Sequence, residues 1–201
     1  MNHKKERIEE SWKTRTRKIY TIKESARALF LAVITLPKLI AARLDKVFVE
    51  RIMLAVTQVN GCPMCSYEHS KIALKAGMST EEIESLVSGS YDFAPKEEHV
   101  ALLFAEHYAD TRGYPETETI EKLYDTYGEK KANGILGAIR IITMGNAYGI
   151  ALGGFLGRFT GKKDNRTTFL YEVGNLISFG VLVLPFLLYM VLTFLFRRKY
   201  I

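Results

Sequence analysis

The chain has little cysteine, proline or tryptophan, and no segment alternates polar and apolar residues as a half-buried strand does. Only two cysteines occur in 201 residues, which excludes a disulfide-stapled scaffold. Five prolines and 15 glycines exclude collagen-like and low-complexity chains. Hydrophobic residues make up 48% of the sequence, too many for an intrinsically disordered protein. The length fits one domain with a short appendage.

Positive charge is concentrated at the N-terminus. The chain carries 28 Lys+Arg against 22 Asp+Glu, and residues 1–27 hold nine of the basic and four of the acidic side chains. A basic tail suits an anionic membrane surface or nucleic acid, but a solvated helical tail explains the same pattern. We predict a basic N-terminal tail over residues 1–25 and no nucleic-acid partner.

Helical periodicity dominates the chain from residue 26 to residue 161, which predicts an all-α domain. Glycine, proline and a capping sequence at 79–82 divide it into segments. The predicted helices cover residues 26–44, 45–59, 63–76 and 80–87, a segment after Pro95, a segment from Pro115 to Tyr127, and residues 130–158. Segment 26–44 is too short in its apolar part to cross a bilayer, so we expect a core or membrane-surface helix there.

A long apolar run ends the chain. Residues 162–172 form a polar linker, and residues 173–196 contain no charged residue. At about 1.5 Å per residue this run covers about 36 Å, more than the hydrocarbon core of about 30 Å. We predict one C-terminal transmembrane helix, with a buried helix of the domain as the alternative. No secretory signal is recognisable, so we expect a single-pass membrane protein with its helical domain in the cytoplasm.

Two cysteines and a histidine share one stripe of the helix that begins at Pro63. A proline at the first helical position places Cys62 at the N-cap and Cys65 in the first turn. Unpaired N–H groups and the helix dipole favour a thiolate there. His69 lies one turn beyond Cys65 and can exchange a proton with it. Glu50, on the preceding helix, can meet this stripe as a base or orient His69.

Two other interpretations of the cysteines remain open. A Cys-x-x-Cys pair can be half of a zinc site, which would need His69 and either His99 or His107 as further ligands. Two free cysteines can also be ordinary core residues. A redox dithiol is favoured because a helix start, a histidine and an upstream carboxylate coincide. We predict no metal and no cofactor.

The glycines at 145, 149, 153 and 157 recur every four residues. This spacing permits close helix packing inside the domain or its oligomer. A second membrane segment is the alternative, but Asn146 and the modest hydrophobicity argue against it.

The spacing Glu50-x11-Cys62-x2-Cys65-x3-His69 resembles the peroxidase-type active site of the alkylhydroperoxidase D-like, carboxymuconolactone decarboxylase superfamily. The similarity in organisation covers residues 26–160. It includes the link at 77–82 after the cysteine helix and Asn146 in the last long helix of the domain. The resemblance implies an all-α homo-oligomer whose cysteine pair reduces hydroperoxides and is reduced again by a dithiol partner.

By this resemblance Cys65 is the attacking thiol and Cys62 the resolving thiol, while Glu50 and His69 relay protons. The family's peroxidases also carry a histidine directly before the second cysteine, where this chain has Met64. From the resemblance and the predicted C-terminal membrane helix together, we expect a membrane-anchored antioxidant dithiol enzyme. The alternatives are a non-catalytic redox sensor or assembly protein, and a carboxymuconolactone decarboxylase-type lyase.

Overall fold

The computed structural model describes residues 19–162 and 164–197, and no β-strand occurs among them. Most of the predicted basic tail, residues 1–18, lies outside the described residues. Seven α-helices occupy the described part of the chain: α1 Ile22–Ala42, α2 Lys46–Asn60, α3 Pro63–Ala76, α4 Thr80–Ser88, α5 His99–Asp110, α6 Thr117–Phe159 and α7 Phe169–Arg197. The predicted all-α fold is confirmed.

Local signals set the boundaries around the cysteine helix. Gly61 adopts φ 66° and ψ 47°, a left-handed conformation that ends α2, and its N–H donates to the carbonyl of Thr57. Pro63 then occupies the first position of α3, with Cys62 as the N-cap. Ser79 caps α4 by accepting a hydrogen bond from the Glu82 N–H at 3.1 Å. The predicted stop, proline start and cap are confirmed.

One boundary differs from the prediction. Pro95 precedes a 3₁₀ turn over Lys96–Glu98, and α5 begins only at His99. The predicted break between the helices before and after residue 128 is present, because Gly128 adopts φ 69° and ψ 163°, which is not helical. Only glycine takes that conformation readily, so Gly128 forms a kink that divides α6 into two helical parts.

Helix α2 is the centre of the domain. Its Ile52, Ala55 and Val56 are fully buried in a core that α5 and α6 complete. Arg51 lies beside the core and binds Glu82 at 2.6 Å and Glu98 at 3.0 Å, which ties α4 and the 3₁₀ turn to α2. Burial raises the pKa of Glu98, and the guanidinium of Arg51 opposes that rise.

Two glycines of α6, Gly134 and Gly137, allow this helix to pack closely against α1. A Cβ added at Gly137 would lie 2.9 Å from the Cβ of Leu39, and one added at Gly134 would collide with the Cβ of Ala42. A Cβ at Gly153, within the predicted glycine stripe, would meet nothing within 4 Å. Close packing of α6 on α1 therefore depends on two glycines outside that stripe.

Helix α7 packs against α1 and α6 along much of its length. Phe30 meets Phe186 edge to face with ring centroids 5.2 Å apart, and Tyr148 meets Phe179 at 5.0 Å. The helix begins at Phe169, four residues before the predicted start. Glu172 in its first turn is fully buried. Both carboxylate oxygens of Glu172 bind Arg158, and one also accepts from Thr167 Oγ1 at 2.6 Å.

Three helices in the described part of the chain have the length and apolar composition to cross a membrane. They are Ile22–Ala42, Thr117–Phe159 and the segment Phe169–Thr193 of α7. Segment 26–44 was expected to be too short, and α1 corrects this because it extends to 21 residues. The C-terminal segment is the candidate that buries least of its own surface. It contains most of the predicted membrane helix 173–196.

Candidate functional site

Cys62 and Cys65 are joined by a disulfide at the start of α3, with their Cα atoms 5.4 Å apart. The Cys62 backbone is extended, with φ −92° and ψ 104°, as an N-cap residue requires. Pro63 begins the helix directly after it. The predicted dithiol therefore forms within a single helical turn, and this structure shows its oxidised state.

The two cysteines differ in burial. Cys62 is 0% exposed, whereas Cys65 is half-buried. The N–H of Cys65 points to Cys62 Sγ at 3.3 Å. The backbone donor at the start of α3 thus meets Cys62, not Cys65, whose Sγ lies 3.6 Å from the carbonyl oxygen of Gly145. Cys65 is thus the more exposed residue of the pair.

His69 and Glu50 meet as predicted. Nδ1 of His69 lies 2.8 Å from Oε2 of Glu50. Glu50 is 7% exposed and comes from the middle of α2, while the His69 side chain is 20% exposed. With Nδ1 held by the carboxylate, Nε2 is the ring nitrogen left for proton exchange. His69 follows Cys65 by four positions, so both side chains lie on one face of α3.

Gly149 of α6 lies directly against the disulfide. A Cβ at this position would lie 2.8 Å from Cys65 Sγ and 2.9 Å from Cys62 Sγ. No other residue type fits there without displacing sulfur. The repeated glycines in the sequence drew attention to this position, but only as a surface for helix packing. Its contact with the cysteines is a feature that sequence reasoning missed.

Buried polar side chains lie near the same junction of helices. Tyr20 donates to Asn60 Oδ1 at 2.6 Å, and Thr57 donates to Asn146 Oδ1 at 3.1 Å. The side-chain nitrogens of Asn60 and Asn146 are buried without a hydrogen-bond partner among the described residues. Asn146 was noted from the family resemblance. No signal in the sequence pointed to the other three residues.

The arrangement required for a zinc site does not form. His99 Nε2 lies 3.1 Å from the carbonyl oxygen of Ala94, and His107 pairs with Glu116. No group of three or more His, Cys, Asp or Glu side chains able to hold a metal occurs among residues 19–162 and 164–197. The histidines required for this alternative are therefore engaged elsewhere.

A comparison with protein-family models matches residues 28–106 to a family described as the carboxymuconolactone decarboxylase family. The matched segment covers 79 of the 201 residues. The matched segment runs from α1 into α5 and contains Glu50, both cysteines and His69, so the resemblance inferred from the motif is confirmed. The carboxymuconolactone decarboxylase family includes peroxidase-like and decarboxylase members, so the match identifies the family and not the reaction. No curated protein and no solved structure matches the chain significantly.

Proposed function

We propose that the protein is a thiol-dependent hydroperoxide reductase, an antioxidant dithiol enzyme. The observation that supports this best is the placement of the half-buried Cys65 on the same helical face as His69, which Glu50 holds at 2.8 Å. Cys62 is within disulfide distance of Cys65 and can act as the resolving thiol. Nucleophile, proton carrier and resolving thiol are thus present together.

In the reducing step, the Cys65 thiolate attacks one oxygen of a hydroperoxide. The O–O bond breaks, Cys65 becomes a sulfenic acid, and the departing alkoxide takes a proton from His69 to become an alcohol. The Cys62 thiol then attacks the Cys65 sulfur. The S–S bond forms, and the sulfenic oxygen leaves as water with the proton that Cys62 gives up; the Glu50–His69 pair regains its proton when the dithiol reductant delivers two protons in the next step.

An external dithiol resets the pair. Its thiolate attacks Cys65, the more exposed of the two cysteines, and releases Cys62 as a thiolate. The second thiol of the reductant then displaces Cys65 and leaves as a disulfide. Over a full cycle one hydroperoxide and one dithiol become one alcohol, one water and one disulfide. This sequence accounts for the difference in burial between the two cysteines.

A turnover assay with an organic hydroperoxide and a small dithiol tests the proposal. Cys65→Ser should abolish turnover, and His69→Ala should slow it by a factor of about 100 or more. His107→Ala is the matched control, because His107 lies on α5 and should leave the rate unchanged. Equal rates for the wild type and His69→Ala would contradict the relay.

The same assay separates the alternatives. A redox sensor would form the Cys62–Cys65 disulfide with peroxide but would not consume peroxide repeatedly when the dithiol is present. A decarboxylase would release product from a carboxymuconolactone substrate even in the Cys62→Ser/Cys65→Ser double variant. Either result would replace the peroxidase proposal.

We also propose that α7 attaches the protein to a membrane as a single-pass anchor, with residues 26–161 on the cytoplasmic side, and that the protein forms a homo-oligomer. Large apolar side chains on α7, among them Leu170, Leu184 and Leu188, are exposed. Because α7 packs on α1 and α6, crossing the bilayer requires it to take those helices along or to separate from them.

Cell fractionation and thiol labelling test this placement. The protein should resist removal from membranes by salt, and a membrane-impermeant thiol reagent applied to spheroplasts should leave Cys65 unlabelled. Extraction by salt, or labelling of Cys65 from outside, would contradict the placement. Cross-linking of the purified protein tests the homo-oligomer, which predicts a ladder of more than one chain.

A further inference from the structure

Arg140 is an isolated charge in the apolar part of α6. No other charged residue lies between Lys131 and Arg158. Its Nε is buried and has no hydrogen-bond partner, and no ion pair involves Arg140 within the described parts of the chain. Arg140 is half-buried as a residue, but a buried guanidinium nitrogen without a partner is unfavourable, and a charge within an apolar helix commonly marks a binding site. Among the described residues no acidic side chain is paired with Arg140, so an external anion could pair with it.

A groove between α1 and α7 contains Arg140. It has a volume of about 520 Å³ and is open to the surface. Phe30, Ile34 and Pro37 form the wall from α1, and Tyr189 and Met190 form the wall from α7. The groove is thus apolar along its sides, with a guanidinium in its lining. This combination suits an amphiphile better than a free inorganic ion.

A second cation lines the same groove. Lys38 is on α1, and its Nζ donates to Asn133 Oδ1 at 3.0 Å, which leaves its charge unneutralised. No acidic side chain is among the described residues that line the groove. Two positive charges without a counter-charge favour an anionic ligand.

We propose that this groove binds the phosphate of an anionic phospholipid, with Arg140 and Lys38 as its partners and the acyl chains along α7. Helix α7, whose apolar side chains are exposed, supplies one wall of the groove. The groove lies near the C-terminal end of the apolar run of α7, where Tyr189, Met190 and Thr193 line it. Tyrosine, here Tyr189, and basic side chains are typical of the level where hydrocarbon meets head groups.

The proposal rests on the membrane attachment of α7 and requires α1 and the Arg140 part of α6 to enter the bilayer together with α7; in this respect it departs from the cytoplasmic placement of residues 26–161. It does not require peroxide turnover, so a failed turnover assay leaves it standing. Conversely, loss of lipid binding leaves the chemistry of Cys65 untouched. The two proposals can therefore fail separately.

Native mass spectrometry of the full chain, purified in detergent and titrated with phosphatidylglycerol, is the test. The wild type should retain one lipid, and Arg140→Gln should weaken its retention by about tenfold, equal to about 1.4 kcal/mol. Lys38→Gln should weaken it in the same direction. Phosphatidylcholine, whose head group carries its own cation, should bind more weakly and show no dependence on Arg140.

Matched controls make the result specific. Arg166→Gln removes the same type of charge near the other end of α7, where Arg166 pairs with Asp164, and should bind phosphatidylglycerol like the wild type. Arg140→Lys keeps the charge and should restore most of the affinity, which guards against misfolding of the glutamine variant. Unchanged binding in Arg140→Gln, or an equal loss in Arg166→Gln, would overturn the proposal. Displacement of the lipid by inorganic phosphate would show that the site binds a free anion. If Arg140→Gln weakened the binding of palmitate but not that of phosphatidylglycerol, the site would bind a fatty acid. Either result would overturn the proposal.

Discussion

Replacing Gly149 by alanine should make the disulfide easier to reduce. The added Cβ would lie 2.8 Å from Cys65 Sγ and 2.9 Å from Cys62 Sγ, closer than carbon and sulfur can approach. The disulfide holds both sulfur atoms against α6. After reduction the half-buried Cys65 side chain is free to rotate away, so the clash is mainly a property of the oxidised protein.

The magnitude follows from two opposing effects. Overpacking of a well-packed site costs about 1–3 kcal/mol. Alanine in place of glycine within a helix gains about 0.8–1.0 kcal/mol, but it does so in both redox states and cancels from their difference. The oxidised form therefore loses about 1–3 kcal/mol relative to the reduced form. For a two-electron couple this raises the reduction potential by about 20–65 mV.

Equilibration in thiol–disulfide buffers, followed by alkylation and mass measurement, gives the potential of each variant. Gly153→Ala is the matched control, one turn further along α6, where an added Cβ meets nothing within 4 Å. It should leave the potential at the wild-type value. If Gly149→Ala has the same reduction potential as the wild type and Gly153→Ala, the placement of Gly149 against the sulfur atoms is wrong.

Three further predictions concern the relay and the buried polar side chains near it. Glu50→Gln should slow peroxide turnover, though by less than His69→Ala, because it disorients the imidazole without removing it; single-turnover rates with equal circular dichroism spectra check this. Met64→His should raise turnover by adding a ring nitrogen between the cysteines, and an unchanged rate would show that this position is not limiting. Tyr20→Phe should destabilise the fold by about 1–3 kcal/mol, because Asn60 Oδ1 loses its 2.6 Å hydrogen bond; urea unfolding measures the change.

The sequence predicts the part of the site that short-range signals control. Gly61 ends α2, Pro63 begins α3, and the tight turn between them folds α3 back along α2. That geometry, with a spacing of four between Cys65 and His69, is enough to anticipate the contact between His69 and Glu50. These residues are all within 20 positions of one another, so helix periodicity and capping chemistry specify their relation.

Contacts between distant segments were not predictable in the same way. Gly149 follows the cysteines by more than 80 residues, and the periodicity of α6 does not reveal which helix meets each of its faces. Tyr20 lies at the edge of the charged N-terminal segment, where nothing marks it as buried. Both assignments depend on tertiary packing, which a single sequence specifies only through the whole fold.

The C-terminal helix shows a different limit. An apolar run has the same composition whether it contacts lipid or packs on a protein surface, because both environments exclude water. The sequence therefore predicted a membrane helix but could not reveal that Phe186 packs on Phe30 or that Arg158 pairs with the buried Glu172. Those contacts connect α7 to the domain along its length.

The most direct test of the central claim is a single-turnover reaction of the fully reduced protein with one equivalent of an organic hydroperoxide. Alcohol formation and the masses of the peptides that contain Cys62 and Cys65 are followed together. The account predicts one alcohol and one Cys62–Cys65 disulfide per chain, and in Cys62→Ser a sulfenic acid confined to Cys65. Unreacted thiols beside intact hydroperoxide, or alcohol formed at the same rate by Cys65→Ser, would contradict it.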